Sequence, residues 1–291
     1  MRRGGTSGFH RFAVGLAVGV VALIAAGALV KSREAGLSVP DWPLSYGSLN
    51  PPRWWQIENV RTEHGHRLLA GAIALATVGL ALGARIHESR RPVRGLAWAA
   101  VGAVALQAIL GGVTVLLFLP AAVSISHAVL AELFLGLVVT IAVVTGPGWL
   151  APSGRPCPAG IRGLAAALPA LVFAQILVGA VVRHLGAGLA IPDFPLVFGG
   201  LLPPRWSLPI AVHFAHRVGA GATVALVGLL AGRVLRQAPG RRDLSNPARA
   251  LVALTMAQIL LGGATIWSGR AVLPNTAHVA VGASLLALSV V

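Results

Sequence analysis

The chemistry this sequence can do rests on histidines that occur twice in register. His66-Arg67 returns as His216-Arg217, 150 residues on, and His127 returns as His278, 151 residues on. Of the nine histidines, His10 and His87 lie in basic segments and read as solvated, while the other seven, His64, His184 and His213 among them, lie at or near one face of the predicted spans. Imidazole suits haem iron, copper and zinc. The chain has one cysteine, Cys157, so it can form neither an intrachain disulfide nor a thiolate cluster. Without thiolates or a carboxylate-rich shell, two imidazoles facing each other inside a four-helix unit read best as axial ligands of a haem. The plainer reading is that they bridge helices by hydrogen bonds. Two pairs in repeat register favour ligation, because ionisable groups in apolar helices are costly and mark function.

The copies differ where a carboxylate stands. Residues 63–67 read Glu-His-Gly-His-Arg and residues 213–217 read His-Phe-Ala-His-Arg, so Glu63 occupies the place of His213. Glu63 and His66, three apart, share a helix face. Two readings stand open: a carboxylate that does chemistry beside one haem only, or an acid at a helix start, where the dipole favours it. Arg67 and Arg217 follow the ligand candidates and suit either haem propionates or the membrane interface. Gln107 and Gln258, with Thr114 and Thr265, read as interhelical hydrogen bonds, and the Gly-Gly pairs at 111–112 and 262–263 as points of close helix approach. Glu132 is five residues beyond His127, about 140° around a helix, and so off the ligand face. It suits a proton path or a helix–helix pairing.

The elements that position these residues are membrane helices. Hydrophobic residues make up 56% of the 291, charged residues 11%, and mean hydropathy is +0.81; a soluble domain carries about 25% charged residues. Long apolar runs predict spans near 12–31, 63–84, 95–118, 124–146, 163–182, 211–232, 248–267 and 272–291. The fold class expected is an all-α membrane protein: eight transmembrane helices as two parallel-repeat four-helix bundles. The domains expected are 1–150 and 151–291. His66 and His127 each fall a few residues into spans of the same direction, hence at similar depth, as do His216 and His278.

A net charge of +15 would point to nucleic acid in a soluble protein. Here fourteen of the 23 Lys/Arg fall at 2–11, 85–94, 155–162 and 233–249, on one side of the predicted spans. That side is cytoplasmic, with both termini inside and the histidines toward the outer face. The first apolar run is too long for a signal peptide and reads as the first span. The outer loops then include GLSVPDWPLSYG (36–47) and GLAIPDFPLVFG (188–199), each followed by Pro-Pro-Arg-Trp. They suit lids over the site or interfacial anchors.

Together the loop 36–47, Glu63-x-x-His66-Arg67, His127, the second Pro-Asp-aromatic-Pro loop, His216-Arg217 and Asn275-Thr-Ala-His278 resemble the haem A synthase family, from about residue 30 to the end. The resemblance implies an eight-span enzyme of the bacterial-type inner (plasma) membrane that oxidises a methyl group of haem O to a formyl group, giving haem A for terminal oxidases. It implies that His66 and His127 flank the substrate haem O in the first half and that Glu63 is the catalytic carboxylate. His216 and His278 would hold a haem b cofactor in the second half that relays electrons. Haem O synthase is the implied supplier of substrate, the electron donor is unknown, and no nucleic acid is involved. Many bacterial members carry cysteine pairs in the outer loops. Here those stretches have Val39 and Ser45, then Ile191 and Val197, so the branch without those cysteines is the nearer comparison. Two other classes remain beside this one: a two-haem transmembrane electron carrier, and a haem-handling chaperone.

Overall fold

The computed structural model describes residues 3–150 and 157–291. Arg2 and Arg155 of the basic set, and residues 151–156 at the start of the second expected domain, lie outside the described residues. Among the described residues there are nine α-helices and no strand: α1 (Arg3–Ser32), α2 (Glu58–His87), α3 (Arg91–Leu116), α4 (Ala121–Thr145), the one-turn α5 (Pro147–Leu150), α6 (Ala159–His184), α7 (Leu208–Gln237), α8 (Arg242–Trp267) and α9 (Val272–Ser289). All but α5 are long and apolar enough to cross a bilayer. The chain is an all-α, multi-pass membrane protein.

The helices outrun the predicted spans at several ends because polar end turns were not counted. α2 has 30 residues, about 45 Å at 1.5 Å per residue, against a hydrocarbon core of about 30 Å. Its first turn belongs to the polar interface, where Glu58 pairs with Arg33 at 3.0 Å.

The chain divides into two compact units, Met1–Gly154 and Arg155–Val291. In the first, α1 packs on α2 and α4, and α3 packs on α2 and α4. The four helices therefore form a ring in which α2 and α4 stand across from one another. Neighbours run antiparallel: a Cβ at Gly27 of α1 would meet His66, one at Gly79 of α2 would meet Phe12, and one at Gly83 would meet Phe9. His10, read from sequence as solvated, donates from Nδ1–H to the Ala142 carbonyl oxygen, 2.9 Å away, and ties the start of α1 to the end of α4.

The second unit repeats the ring, with α6 on α7 and α9, and α8 on α7 and α9. A buried cluster of Leu168 and Val172 (α6), Val227, Leu230 and Val234 (α7), Leu251 (α8), and Leu285 and Leu286 (α9) fills the end of this unit remote from His216 and His278. At the histidine end, residues 275–281 of α9 are half-buried without exception. Burying apolar area near one end, at about 25 cal/mol per Å², holds the bundle while the other end stays open to a ligand.

Candidate functional site

Each histidine pair sits on helices that face each other across its ring, His66 on α2 with His127 on α4, and His216 on α7 with His278 on α9. Each imidazole is pressed edge-on against a glycine of the preceding helix. A Cβ at Gly27 would lie 3.1 Å from Cε1 of His66, at Gly111 3.2 Å from that of His127, at Gly179 2.9 Å from that of His216, and at Gly262 3.4 Å from that of His278. A side chain at Gly179 would force the His216 ring to shift, one at Gly27 or Gly111 would crowd its ring, and one at Gly262 would only touch His278, so glycine is required for close approach at Gly179 above all. Sequence reading gave Gly111 and Gly262 to helix–helix contact; the structure gives them to imidazoles.

These residues fit a haem. The Nδ1 atoms of His66, His127 and His278 are buried without a hydrogen-bond partner. None of the four Nε2 atoms bonds to a described residue, which leaves each one for a metal. His216 and His278 have ring centres 6.3 Å apart and planes inclined at 71°. Metal–imidazole bonds of about 2 Å put the centres of two rings that share a metal roughly 6 Å apart, as seen here. Among the described residues no group of three or more His, Cys, Asp or Glu forms a metal cage, so the arrangement suits an ion whose remaining ligands come with it, as a porphyrin supplies them.

The other two buried histidines are used by the protein. His64 Nδ1 lies 2.9 Å from the Ser45 hydroxyl, and its ring meets Trp54 edge-on at 4.8 Å. The matching residues, Val197 and Phe214, keep the aromatic contact, with Phe214 on Trp206 at 5.5 Å, and lose the polar one. His213 Nδ1 accepts from the Ile191 N–H at 3.3 Å.

Glu63 does not cap its helix. α2 begins five residues earlier, and the carboxylate turns to the loop: Oε2 accepts from the Val39 N–H at 2.9 Å and Oε1 from Arg67 Nη2 at 2.6 Å. Val39 and Ile191 are repeat mates, so Glu63 and His213 brace the same loop at the same point.

Arg67 and Arg217 hold those loops. Arg67 donates to the carbonyl oxygens of Asp41 (2.7 Å), Leu44 (2.9 Å) and Val39 (3.0 Å). Arg217 donates to those of Asp193 (2.6 Å), Leu196 (2.7 Å) and Ile191 (3.1 Å). Both guanidiniums were expected at propionates or at the interface; in the structure their terminal nitrogens bond to loop carbonyl oxygens, and Arg67 also to Glu63. Charge-assisted bonds are about twice as strong as neutral ones, so each arginine clamps its loop firmly. Within the loop, Asp41 accepts from the backbone N–H groups of Gly47 and Tyr46, both at 2.7 Å, and Asp193 from those of Gly199 and Phe198, both at 2.8 Å. The donors at Gly47 and at Gly199 hold the two carboxyls below the usual carboxylate range.

The clamped loop carries an aromatic onto α3 or α8. A Cβ at Gly112 would lie 2.4 Å from Trp42, and one at Gly263 would lie 3.0 Å from Phe194. The second glycine of each Gly-Gly pair thus receives the loop aromatic, next to the glycine that receives the imidazole. This puts the Pro-Asp-aromatic-Pro loop across the histidine end of its own bundle, as a lid. Gln107 donates to the His127 carbonyl at 2.9 Å, between helices as expected, whereas Thr114 and Thr265 bond to Gly111 and Leu261 of their own helices. Glu132 is buried, and its Oε2 has no hydrogen-bond partner.

A model of the COX15-CtaA family, described as cytochrome oxidase assembly protein, matches residues 10–290. The chain belongs to this family. Its relatives include the haem A synthase of Symbiobacterium thermophilum, 33% identical over 260 residues, which covers 86% of this chain and 83% of that one. The haem A synthase of Halalkalibacterium halodurans is 30% identical over 262 residues, 87% of this chain and 85% of that one. That of Rhizorhabdus wittichii is 29% identical over 321 residues, 94% of this chain and 89% of that one. The resemblance drawn from the loop and histidine motifs is borne out by this membership in the COX15-CtaA family.

Proposed function

We propose that this COX15-CtaA member is a haem A synthase, an oxidoreductase that converts the methyl group of haem O to the formyl group of haem A. The observation that carries this reading is the double imidazole site, with every ring seated on a glycine and every Nε2 left for a metal. Full-length kinship with haem A synthases supports it. His66 and His127 hold substrate haem O in the unit Met1–Gly154, and His216 and His278 hold haem b in the unit Arg155–Val291. A haem b bound there supplies one-electron chemistry to the reaction.

The conversion is two successive oxidations of one carbon, to a hydroxymethyl group and then to a geminal diol that loses water. With water as the oxygen source the net change is CH3 + H2O → CHO + 4 H+ + 4 e−, and the four electrons pass to an external acceptor. What the chain contributes is position, exclusion of water and proton handling. The paired imidazoles fix the substrate macrocycle between α2 and α4. The loop held by Arg67, with Trp42 seated on Gly112, closes the histidine end against water. Glu63 is the carboxylate on the face of His66 and takes up a proton at Oε2 when that atom releases the Val39 N–H. Arg67, still bonded to Oε1, holds the carboxylate in place.

The test is made in a bacterial host that makes no haem A and carries a haem O synthase. Expression of this chain should produce haem A in the extracted membrane haems. Haem O alone, in membranes that hold the folded haem b protein, would refute the reading.

The enzyme is proposed to lie in the bacterial inner membrane with residues 85–94 and 233–249 in the cytoplasm, since these connections carry most of the excess Lys/Arg. Single-cysteine labelling at residue 240 in a Cys157→Ser background should show protection in intact cells. Labelling from outside would reverse the orientation and move the histidines to the cytoplasmic side.

A further inference from the structure

A cluster of cations stands beside the histidine pair of the second unit, and the mechanism above does not use it. Arg183 lies four residues past Gly179 on α6, on the same helix face and about 6 Å nearer the lid. Gly179 is the glycine that receives the His216 ring. On α9, Asn275 lies three residues before His278, again on one face and about 4.5 Å nearer the lid. Arg183 Nη1 donates to Asn275 Oδ1 at 3.3 Å. The half-buried guanidinium thus bridges α6 and α9 about one helical turn from both imidazoles, and its charge is felt at His278. Arg270, in the turn between α8 and α9, is close enough to act electrostatically on Arg183. Its Cδ lies against the start of the lid, 3.4 Å from where a Cβ of Gly188 would stand. Positive charge is in excess here. Among the described residues of this unit, Arg183, Arg205, Arg217 and Arg270 share the lid end with one acid, Asp193, whose oxygens accept from the Phe198 and Gly199 N–H groups.

We propose that Arg183, steadied by Asn275 and reinforced by Arg270, is the residue that holds a propionate of haem b in the second unit. The inference rests on the reading of His216 and His278 as haem ligands. The two propionates leave one edge of the macrocycle as carboxylates. The far end of this bundle is filled by Leu168, Val172, Leu230 and Leu285, where a carboxylate would find nothing to offset its lost hydration. The propionate edge therefore faces the lid end. There the Arg183 fork offers paired donors that match a carboxylate. Arg217 is turned to the lid, with three of its carbonyl oxygens as acceptors. The first unit is built differently. In place of Arg183, Arg270 and Asn275 it has Lys31, Leu119 and Ser124, which lie 152, 151 and 151 positions earlier. One exposed ammonium replaces two guanidiniums, so this carboxylate clamp belongs to the haem b site.

The test uses the purified full-length holoprotein and three readouts that do not depend on turnover: the haem propionate bending band in the resonance Raman spectrum, the midpoint potential of haem b, and haem b transfer to excess apomyoglobin. Arg183→Gln should shift the propionate band and release haem b about tenfold faster, as loss of a hydrogen bond to a charged group implies. It should also lower the midpoint potential, because a nearby cation disfavours the ferric state. Arg183→Lys keeps the charge and loses the fork. It should retain haem b at a potential near that of the parent and still shift the propionate band. Where Arg183→Gln does not accumulate, the band of Arg183→Lys decides. Parent-like propionate bands and transfer rates in these variants overturn the proposal and leave the arginines to phosphate headgroups at the membrane surface. His278→Ala in the same series separates the two layers. If it keeps low-spin haem b, the ligand assignment itself fails. If it loses haem b while the Arg183 variants match the parent, the ligands stand and the role of Arg183 falls.

Discussion

Glu63→Gln lowers haem O conversion by a hundredfold or more and leaves the haem b spectrum in place. A hundredfold is about 2.7 kcal/mol of barrier, at about 1.4 kcal/mol per factor of ten. The structure sharpens this test, because Glu63 also braces the loop through Val39 and Arg67. A glutamine has one acceptor oxygen for those two donors, so one donor is left facing an NH₂ group, at a cost of about 1–3 kcal/mol in stability. Glu63→His separates brace from chemistry. His213 holds Ile191 and Arg217 at the equivalent place, so histidine has precedent as a brace at this position. If haem O turnover fails in both variants while thermal unfolding of Glu63→His matches the parent, the carboxylate itself does the work. Parent-like turnover in Glu63→His would make Glu63 a loop brace and no more, and would move the proton handling to another group.

The second large effect is at the ligands. His216→Ala and His278→Ala each leave one imidazole where two are needed, and should abolish the tightly held low-spin haem b. His66→Ala and His127→Ala should keep that signal and lose retention of haem O. The separation is expected because each pair is built within its own ring of four helices, with its own glycine contacts. Optical and paramagnetic resonance spectra of the four purified variants check it. Loss of haem b in all four alike would mean that the two sites are not independent.

What the sequence made legible was whatever repeats or runs: the 150-residue period, the apolar spans and the four histidines in register. What it hid was long-range and carried largely by backbone. Arg67 and Arg217 looked like propionate or interface residues because their partners are carbonyl oxygens more than twenty positions away, and a carbonyl leaves no mark in the residue code. Gly111 and Gly112 read as one close-packing pair, although one admits an imidazole and the other an indole. The Glu63/His213 difference was visible as a substitution, but its shared brace ends on the N–H of Val39 or Ile191.

The central claim is that one chain holds two haems of different kinds, one as substrate and one as cofactor. The most direct measurement is to purify the wild-type protein from a host that makes haem O, extract its non-covalently bound haems and separate them by type. The account predicts haem b together with haem O, haem A or the hydroxymethyl intermediate between them. Haem b alone, filling both histidine pairs, would contradict it and identify the protein as an electron carrier.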